Sequence, residues 1–240
     1  MTDRFSMPHT FLLVHGAWHG GWCWRRVTDI LEAKGHKAFA PTLTGVGERS
    51  HLMRAGIDVS MHVADVVNVM TWERLDGVVL CGHSYAGFVI SGVAEKMAAK
   101  IRSIVFLDAF LPNDGEAMAD ITSQATRERL AAAAARGDIG VPAPPAGMFK
   151  VNERDRAWVD ALCVPQPIGT MTEKMRLTGA RDRIAKKTYV RGRDYPNPGF
   201  DAALARAKAD PSWRAHELPC GHDVMVDMPE RLAEILIEAA

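Results

Sequence analysis

Net charge is absent from this 240-residue chain: Lys plus Arg number 29, and Asp plus Glu number 29. A chain with zero balance generates no long-range field to gather nucleic acid or an anionic membrane. Neither is expected as a partner, and a small neutral ligand suits the balance better. Cysteine is scarce, and Cys23, Cys81, Cys163 and Cys220 lie too far apart for a zinc knuckle or a Cys-x-x-Cys pair. Three of them sit in apolar or aromatic company, which reads as buried free thiols in a reducing cytoplasm, with no metal site. No apolar run approaches a membrane span, and Met1 to His9 lacks a stretch of signal-peptide length. No internal repeat is present, and the length suits a single domain, 1–240, able to bury a core without metals or disulfides.

What the chain does have is alternation. Short apolar runs are separated by amphipathic stretches, the pattern of an α/β fold whose mostly parallel central sheet is flanked by helices. Strands are expected at Phe11–Val14, Ala38–Phe39, Val78–Cys81, Ile104–Leu107, Thr188–Val190 and Ala215–Leu218. Helices are expected over Trp22–Lys34, Ser60–Leu75, Ala86–Lys100 and Pro229–Glu238, with Ser60 as an N-cap and Pro229 in a first turn. Residues from about 112 to 180 break the rhythm with the alanine run Ala131–Ala135, a proline-rich stretch from Val141 to Pro145, and short segments around Trp158 and Met175. An insertion placed between two sheet strands is expected to lie over the catalytic edge as a helical lid.

Residues Val78 to Gly87 read Val-Val-Leu-Cys-Gly-His-Ser-Tyr-Ala-Gly, an apolar strand that breaks and places Ser84 on a sharp turn before a small-residue helix. This is the pattern of a nucleophile elbow, with Gly82 and Ala86 as the small residues that the strained turn requires. A serine hydroxyl is a weak nucleophile at neutral pH, so it needs a base and an orienting acid in the chain order Ser, acid, His. His222, in the loop after the last expected strand, stands where that base belongs. His83 is the variable position of the elbow, His36 reads as a surface residue, and His51, His62 and His216 carry no catalytic pattern. Two acids compete. Asp108 ends the strand Ile104–Leu107 with no neighbouring cation in sequence, and Asp194 follows Arg191-Gly192-Arg193, where it could simply balance a basic turn. Asp108 is favoured because an apolar strand that ends in an unpartnered carboxylate needs a partner elsewhere.

A tetrahedral intermediate carries a negative oxygen, and two backbone N–H groups are its usual stabilisers. Tyr85 N–H follows the nucleophile, and Ala17 N–H lies in the loop His15-Gly16-Ala17-Trp18-His19-Gly20-Gly21-Trp22. That loop lacks G-x-G-x-x-G spacing with a downstream acid, so no nucleotide cofactor is expected. Trp18, Trp22, Trp24 and Phe110 could wall an acyl pocket, but aromatic residues at such spacing are more often core, and none is assigned to substrate.

The elbow, the His-Gly-Ala-Trp-His-Gly-Gly-Trp-Cys-Trp loop and the Gly221-His222-Asp223-x-Met225 segment together resemble the alpha/beta-hydrolase superfamily. Pro41-Thr42-Leu43-Thr44-Gly45, Asp108 to Pro112 and Pro165-Gln166-Pro167 extend the likeness over nearly the whole chain, toward the bacterial carboxylesterase relatives of the plant methylesterase and hydroxynitrile lyase group. The resemblance implies esterase roles for Ser84 and His222 and oxyanion donation by Ala17 and Tyr85. At the late acid position, Gly192 to Tyr195 departs from the plant pattern, so Asp194 transfers less directly than Asp108. The plant lyases hold cyanide with a lysine after the catalytic histidine and a threonine before the oxyanion alanine; this chain has Asp223 and Gly16 there. An anion beside His222 repels cyanide. The expectation is a metal- and cofactor-free serine carboxylesterase for small neutral esters. A receptor that keeps the hydrolase fold is the alternative from another class, and a homodimer is left open.

Overall fold

Uninterrupted apolar runs such as Phe11–Val14 and Val78–Cys81 suit strands covered on both faces. In the computed structural model, which describes residues 8–240, both runs are fully buried at the centre of a parallel sheet. The stretch read for a signal segment falls mostly on residues 1–7, outside the described residues. In chain order the strands are β1 (Thr10–Val14), β2 (Lys37–Phe39), β3 (Val78–His83), β4 (Ile101–Leu107), β5 (Gly140–Val141), β6 (Gln166–Pro167), β7 (Lys186–Gly192) and β8 (Trp213–Leu218). Six of them form the main sheet in the order β2-β1-β3-β4-β7-β8, every pairing parallel, and β5 pairs antiparallel with β6. All six expected strands are present, each longer than its apolar stretch.

The helices are α1 (Arg25–Ala33), α2 (Val59–Trp72), α3 (Ala86–Met97), α4 (Met118–Ile121), α5 (Gln124–Ala135), α6 (Arg156–Leu162), α7 (Gly169–Thr172), α8 (Pro198–Ala209), α9 (Val224–Asp227) and α10 (Pro229–Ala239). Helix α2 packs on α3, and α1 on α10. No helix among the described residues is long and apolar enough to cross a membrane.

Three local expectations need correction. Asp58, not Ser60, caps α2: its Oδ1 accepts Met61 N–H at 2.8 Å, where a carboxylate also meets the positive end of the helix. Ser60 lies inside the first turn and donates to Glu173. His36 is buried rather than on the surface, because its Nδ1 accepts His9 N–H and its ring meets the edge of Phe11. Helix α8 was not anticipated, although Asn197-Pro198 announces it: Asn197 Oδ1 accepts the amides of Gly199 and Phe200, and Pro198 takes the first helical position.

Register fixes where the chemistry can lie. Val14 pairs with Gly82, His83 with Leu107, Leu107 with Val190, and Gly192 with Leu218. The loops that leave β1, β3, β4, β7 and β8 therefore emerge at one edge, and the order reverses between β1 and β3, where such sheets open a crevice. The segment between β4 and β7 carries α4 to α7 and the β5–β6 pair, and it reaches the same edge: Val164 N–H donates to Trp18 C=O at 3.0 Å and His222 N–H to Phe149 C=O at 2.8 Å.

Gly87, in the first turn of α3, presses the elbow helix against the loop after β4. A Cβ there would lie 1.9 Å from the Phe110 carbonyl oxygen. Gly87→Ala is expected to destabilise the fold by about 1–3 kcal/mol as overpacking against backbone. Thermal unfolding reads this as a Tm drop of several degrees; an unchanged Tm would show that the Phe110 loop yields freely.

Candidate active site

The turn after β3 holds Ser84 at φ 55°, a left-handed conformation that costs a side chain of this kind about 1–2 kcal/mol. Neighbouring backbone enforces it: Ser84 N–H donates to Leu107 C=O at 3.1 Å, and Ser84 C=O accepts Gly87 N–H at 3.0 Å and Phe110 N–H at 3.2 Å. Gly82 is required by close approach, since a Cβ would sit 2.8 Å from the Ala86 carbonyl oxygen.

Far apart in sequence, Ser84, His222 and Asp108 meet at the sheet edge. His222 Nε2 lies 2.9 Å from Ser84 Oγ, and His222 Nδ1 lies 2.6 Å from Asp108 Oδ2. Because Nδ1 faces a carboxylate, it carries the ring proton, which leaves Nε2 to accept from the serine hydroxyl. The imidazole is boxed by aromatic rings: Tyr195 stacks at 4.6 Å, Phe200 at 5.4 Å, and Phe149 lies at 5.6 Å. His83 Nε2 donates to the His222 carbonyl at 3.0 Å, and Phe149 C=O holds the His222 amide.

Asp108 has no exposed surface, and its other oxygen is not idle. Oδ1 accepts from Arg191 Nη1 at 2.7 Å and from Gly192 N–H at 3.0 Å. The expectation that Asp108 has no partner except the histidine is thus corrected: Arg191, from β7, turns inward to it and also bonds Asp201 on α8. Sequence proximity misled, since Arg191 is close to Asp194 along the chain. Asp194 itself is more than half exposed, 3.9 Å from Arg193, and the structure does not bring it to His222.

The loop after β1 lies directly against the serine. A Cβ on Gly16 would come within 2.7 Å of His83 Nδ1 and 3.0 Å of Ser84 Cβ, so only glycine fits. The following amide, Ala17 N–H, is buried, as is Tyr85 N–H; neither donates to an acceptor among the described residues. The peptides around Ala17 are pinned. His15 Nδ1 donates to Gly16 C=O at 2.8 Å, while His15 Nε2 accepts Leu43 N–H at 3.0 Å; burial lowers the pKa of this neutral ring to about 3. Trp18, at φ 68°, is clamped by the inserted segment: its amide donates to Gln166 Oε1 and its indole to Val141 C=O, both at 2.9 Å.

Behind this site lies a second polar group that sequence reasoning did not find. His19 and Asp223 are both buried, with His19 Nε2 3.0 Å from Asp223 Oδ2. The neighbouring His83 is held neutral by burial. Donor atoms of His83, His222 and Asp223 lie within 4.8 Å of one another, the one such metal-ligating cluster among the described residues. Both His222 nitrogens are already engaged by Ser84 and Asp108, so a metal there would dismantle that arrangement. The thiols are poor rival nucleophiles: burial raises Cys81 far above its usual value and pushes Cys163 and Cys220 up to about 12. Trp24 and Phe110 are core residues, and Trp22 stacks on His19. Signals for the missed residues existed: an arginine inside the apolar strand Tyr189-Val190-Arg191, a glutamine between two prolines, and an acid directly after His222.

The family model described as "Alpha/beta hydrolase family" matches residues 11–235. A carbendazim hydrolyzing esterase from Nocardioides sp. (strain SG-4G) is 40% identical over 235 residues, 94% of this chain and 97% of that protein. Methyl jasmonate esterase 1 from Vitis vinifera is 28% identical over 191 residues, 77% of this chain and 73% of its own. Among solved structures, an extracellular alpha/beta-hydrolase from a Paenibacillus species, described as sharing structural and functional homology with tobacco salicylic acid binding protein 2, superposes with a TM-score of 0.85. It covers 97% of this chain and 99% of its own at 24% identity, a likeness of fold.

Removing Arg191 leaves a buried carboxylate short of its cation. Arg191→Met is expected to cost about 3–5 kcal/mol, as for other broken buried pairs, read as a lower urea midpoint. Asp194→Ala should leave that midpoint in place. Equal shifts in the two variants would mean that the Asp108–Arg191 pair matters no more than a surface contact.

Proposed function

The chain belongs to the alpha/beta hydrolase family and is a carboxylic ester hydrolase, and from that premise we propose that Ser84, His222 and Asp108 form a catalytic triad that cleaves small neutral esters through an acyl-enzyme. The observation that carries this reading is the continuous relay, 2.9 Å from Ser84 Oγ to His222 Nε2 and 2.6 Å from His222 Nδ1 to Asp108 Oδ2.

In the proposed sequence, Ser84 Oγ attacks the ester carbonyl carbon while its proton passes to His222 Nε2. The carbonyl oxygen becomes an oxyanion and accepts from Ala17 N–H and Tyr85 N–H, two buried donors that have no competing acceptor among the described residues. Collapse breaks the C–O bond, and the leaving alkoxide takes the proton from His222. Water then loses a proton to His222 Nε2 and attacks the acyl carbon, and the returning proton frees Ser84 as the acid departs. During both steps the imidazole becomes a cation, which the faces of the surrounding aromatic rings and Asp108 favour. Arg191 on the far oxygen of Asp108 keeps that carboxylate oriented toward His222.

A neutral substrate agrees with the balanced charge of the chain, and the 40% identical relative makes carbendazim a natural member of a substrate panel. Asp223 stands after His222 where the plant lyases carry a lysine, so the lysine that would hold departing cyanide is missing, which supports hydrolysis over cyanohydrin cleavage. We take the segment between β4 and β7 to roof the site, since it bonds both Trp18 and His222. Four unpaired cysteines support a reducing cytoplasm.

Ser84→Ala should abolish turnover of p-nitrophenyl acetate while the circular dichroism spectrum is preserved. Asp108→Asn should lower kcat by about 10³–10⁴-fold, the loss expected when the orienting acid can no longer fix the histidine tautomer, and Asp194→Asn should leave kcat unchanged. Undiminished activity in Ser84→Ala rejects the serine mechanism; equal losses in the two aspartate variants reject Asp108 as the orienting acid.

A further inference from the structure

The reactive groups of the proposed triad leave one buried ionic element unused, the His19–Asp223 pair. His19 sits two residues after Ala17, and its two ring nitrogens face different partners: Nδ1 lies 2.7 Å from the Ala17 carbonyl oxygen, and Nε2 lies 3.0 Å from Asp223 Oδ2. Neither a carbonyl nor a carboxylate oxygen can donate, so both nitrogens carry hydrogen and the ring is an imidazolium. Burial alone would expel that proton, but the Asp223 carboxylate outweighs it and raises His19 above the ordinary histidine value. Burial also works against the Asp223 anion, and His19 in turn holds that carboxyl well below its usual range.

Such a pair is a poor way to gain stability. Two buried charges must be desolvated, and here Asp223 Oδ1 has no hydrogen-bond partner among the described residues. What the pair does provide is a link between two loops. Asp223 is covalently next to His222, and His19 grips the carbonyl of Ala17, the residue whose amide is the proposed oxyanion donor. Other contacts on that loop do not reach the His222 segment: His15 holds Gly16 C=O from within the loop, and Gln166 holds Trp18 N–H.

We infer that the His19–Asp223 ion pair is a positioning device that locks the loop presenting Ala17 N–H to the segment carrying His222, so that oxyanion donor and general base keep a fixed separation. The inference rests on the serine-esterase reading. His19 and Asp223 touch no reacting atom; they act through Ala17 and His222.

The two bonds of His19 can be separated by substitution. Asn places its Nδ2 where Nδ1 of histidine lies, and so keeps the donor to Ala17 C=O. Gln places its Nε2 where Nε2 lies, and so keeps the donor to Asp223 and gives up Ala17. Steady-state kinetics with p-nitrophenyl acetate are measured for His19→Asn, His19→Gln and Ser84→Ala in the full chain. A loop displaced by about 1 Å can cost about 10²-fold in rate; each exchange breaks one of the two bonds that join Ala17 to Asp223, so His19→Gln and His19→Asn should each lose kcat by at least about tenfold, with KM within about twofold. Wild-type kcat in a folded His19→Asn overturns the inference, because that variant keeps the Ala17 bond after the link to Asp223 is gone, and wild-type kcat in a folded His19→Gln overturns it for the converse reason. If either variant unfolds, Asp223→Ala, which removes the link and leaves no buried anion, is measured with His19 intact: it should lose kcat by the same factor with KM within about twofold, and wild-type kcat there overturns the inference. Turnover retained by Ser84→Ala overturns the serine reading and this inference with it. An inactive Ser84→Ala beside a fully active His19→Gln overturns this inference alone.

Discussion

A carboxylate with no exposed surface must be neutralised from within the fold, and Asp108 meets that requirement by dividing its two oxygens. One is occupied by the Arg191 guanidinium and the Gly192 amide, and the other is left for His222. The arginine is itself buried and is shared with Asp201 of α8 and the carbonyls of Gly192 and Tyr195. The orientation of the imidazole at Ser84 thus depends on a chain of charges that runs from β4 through β7 to α8. Without the arginine, the same carboxylate would be left buried without its cation, and the acceptor that fixes the His222 tautomer would lose its support.

Backbone strain gathers at the same edge. Of the five non-glycine residues with positive φ among the described residues, Trp18, Ser84 and Asp108 sit at the ends of β1, β3 and β4. Each departs from the ordinary conformation where the sheet hands over to a functional loop, and each is over-determined by hydrogen bonds: Ser84 by Leu107, Gly87 and Phe110, Asp108 by Val190, and Trp18 by Val164, Gln166 and Val141. Strain of this kind persists only where surrounding contacts outvote it. It is consistent with a site whose groups are set before any ligand arrives.

Much of this was legible from residue order. Apolar runs with small residues behind them announced the strands, and the Gly82–Ala86 pattern announced the turn at Ser84, because local sterics decide both. His222 was found by its place after the last strand. What could not be read were partnerships across the sheet. Arg191 stands three residues from Asp194 yet reaches Asp108, because β7 runs beside β4 and brings Arg191 to the residue just past the β4 end. Adjacency in sequence held for Arg193 and Asp194, which lie 3.9 Å apart, and failed for Arg191. Asp58 displaced Ser60 as a cap because its extended backbone, rather than its residue type alone, aimed an oxygen at Met61. His19 and Asp223 are separated by nearly the entire chain, and no periodicity connects them.

The segment between β4 and β7 has a further consequence for how this protein can diverge. Its carbonyls and side chain at Val141, Phe149 and Gln166, with the amide of Val164, bond directly to Trp18 and His222. An exchange of that segment between homologues therefore transplants part of the scaffold that sets reaction geometry, along with whatever selectivity it confers. On the proposed reading, chimeras built at these boundaries would change turnover and preference together.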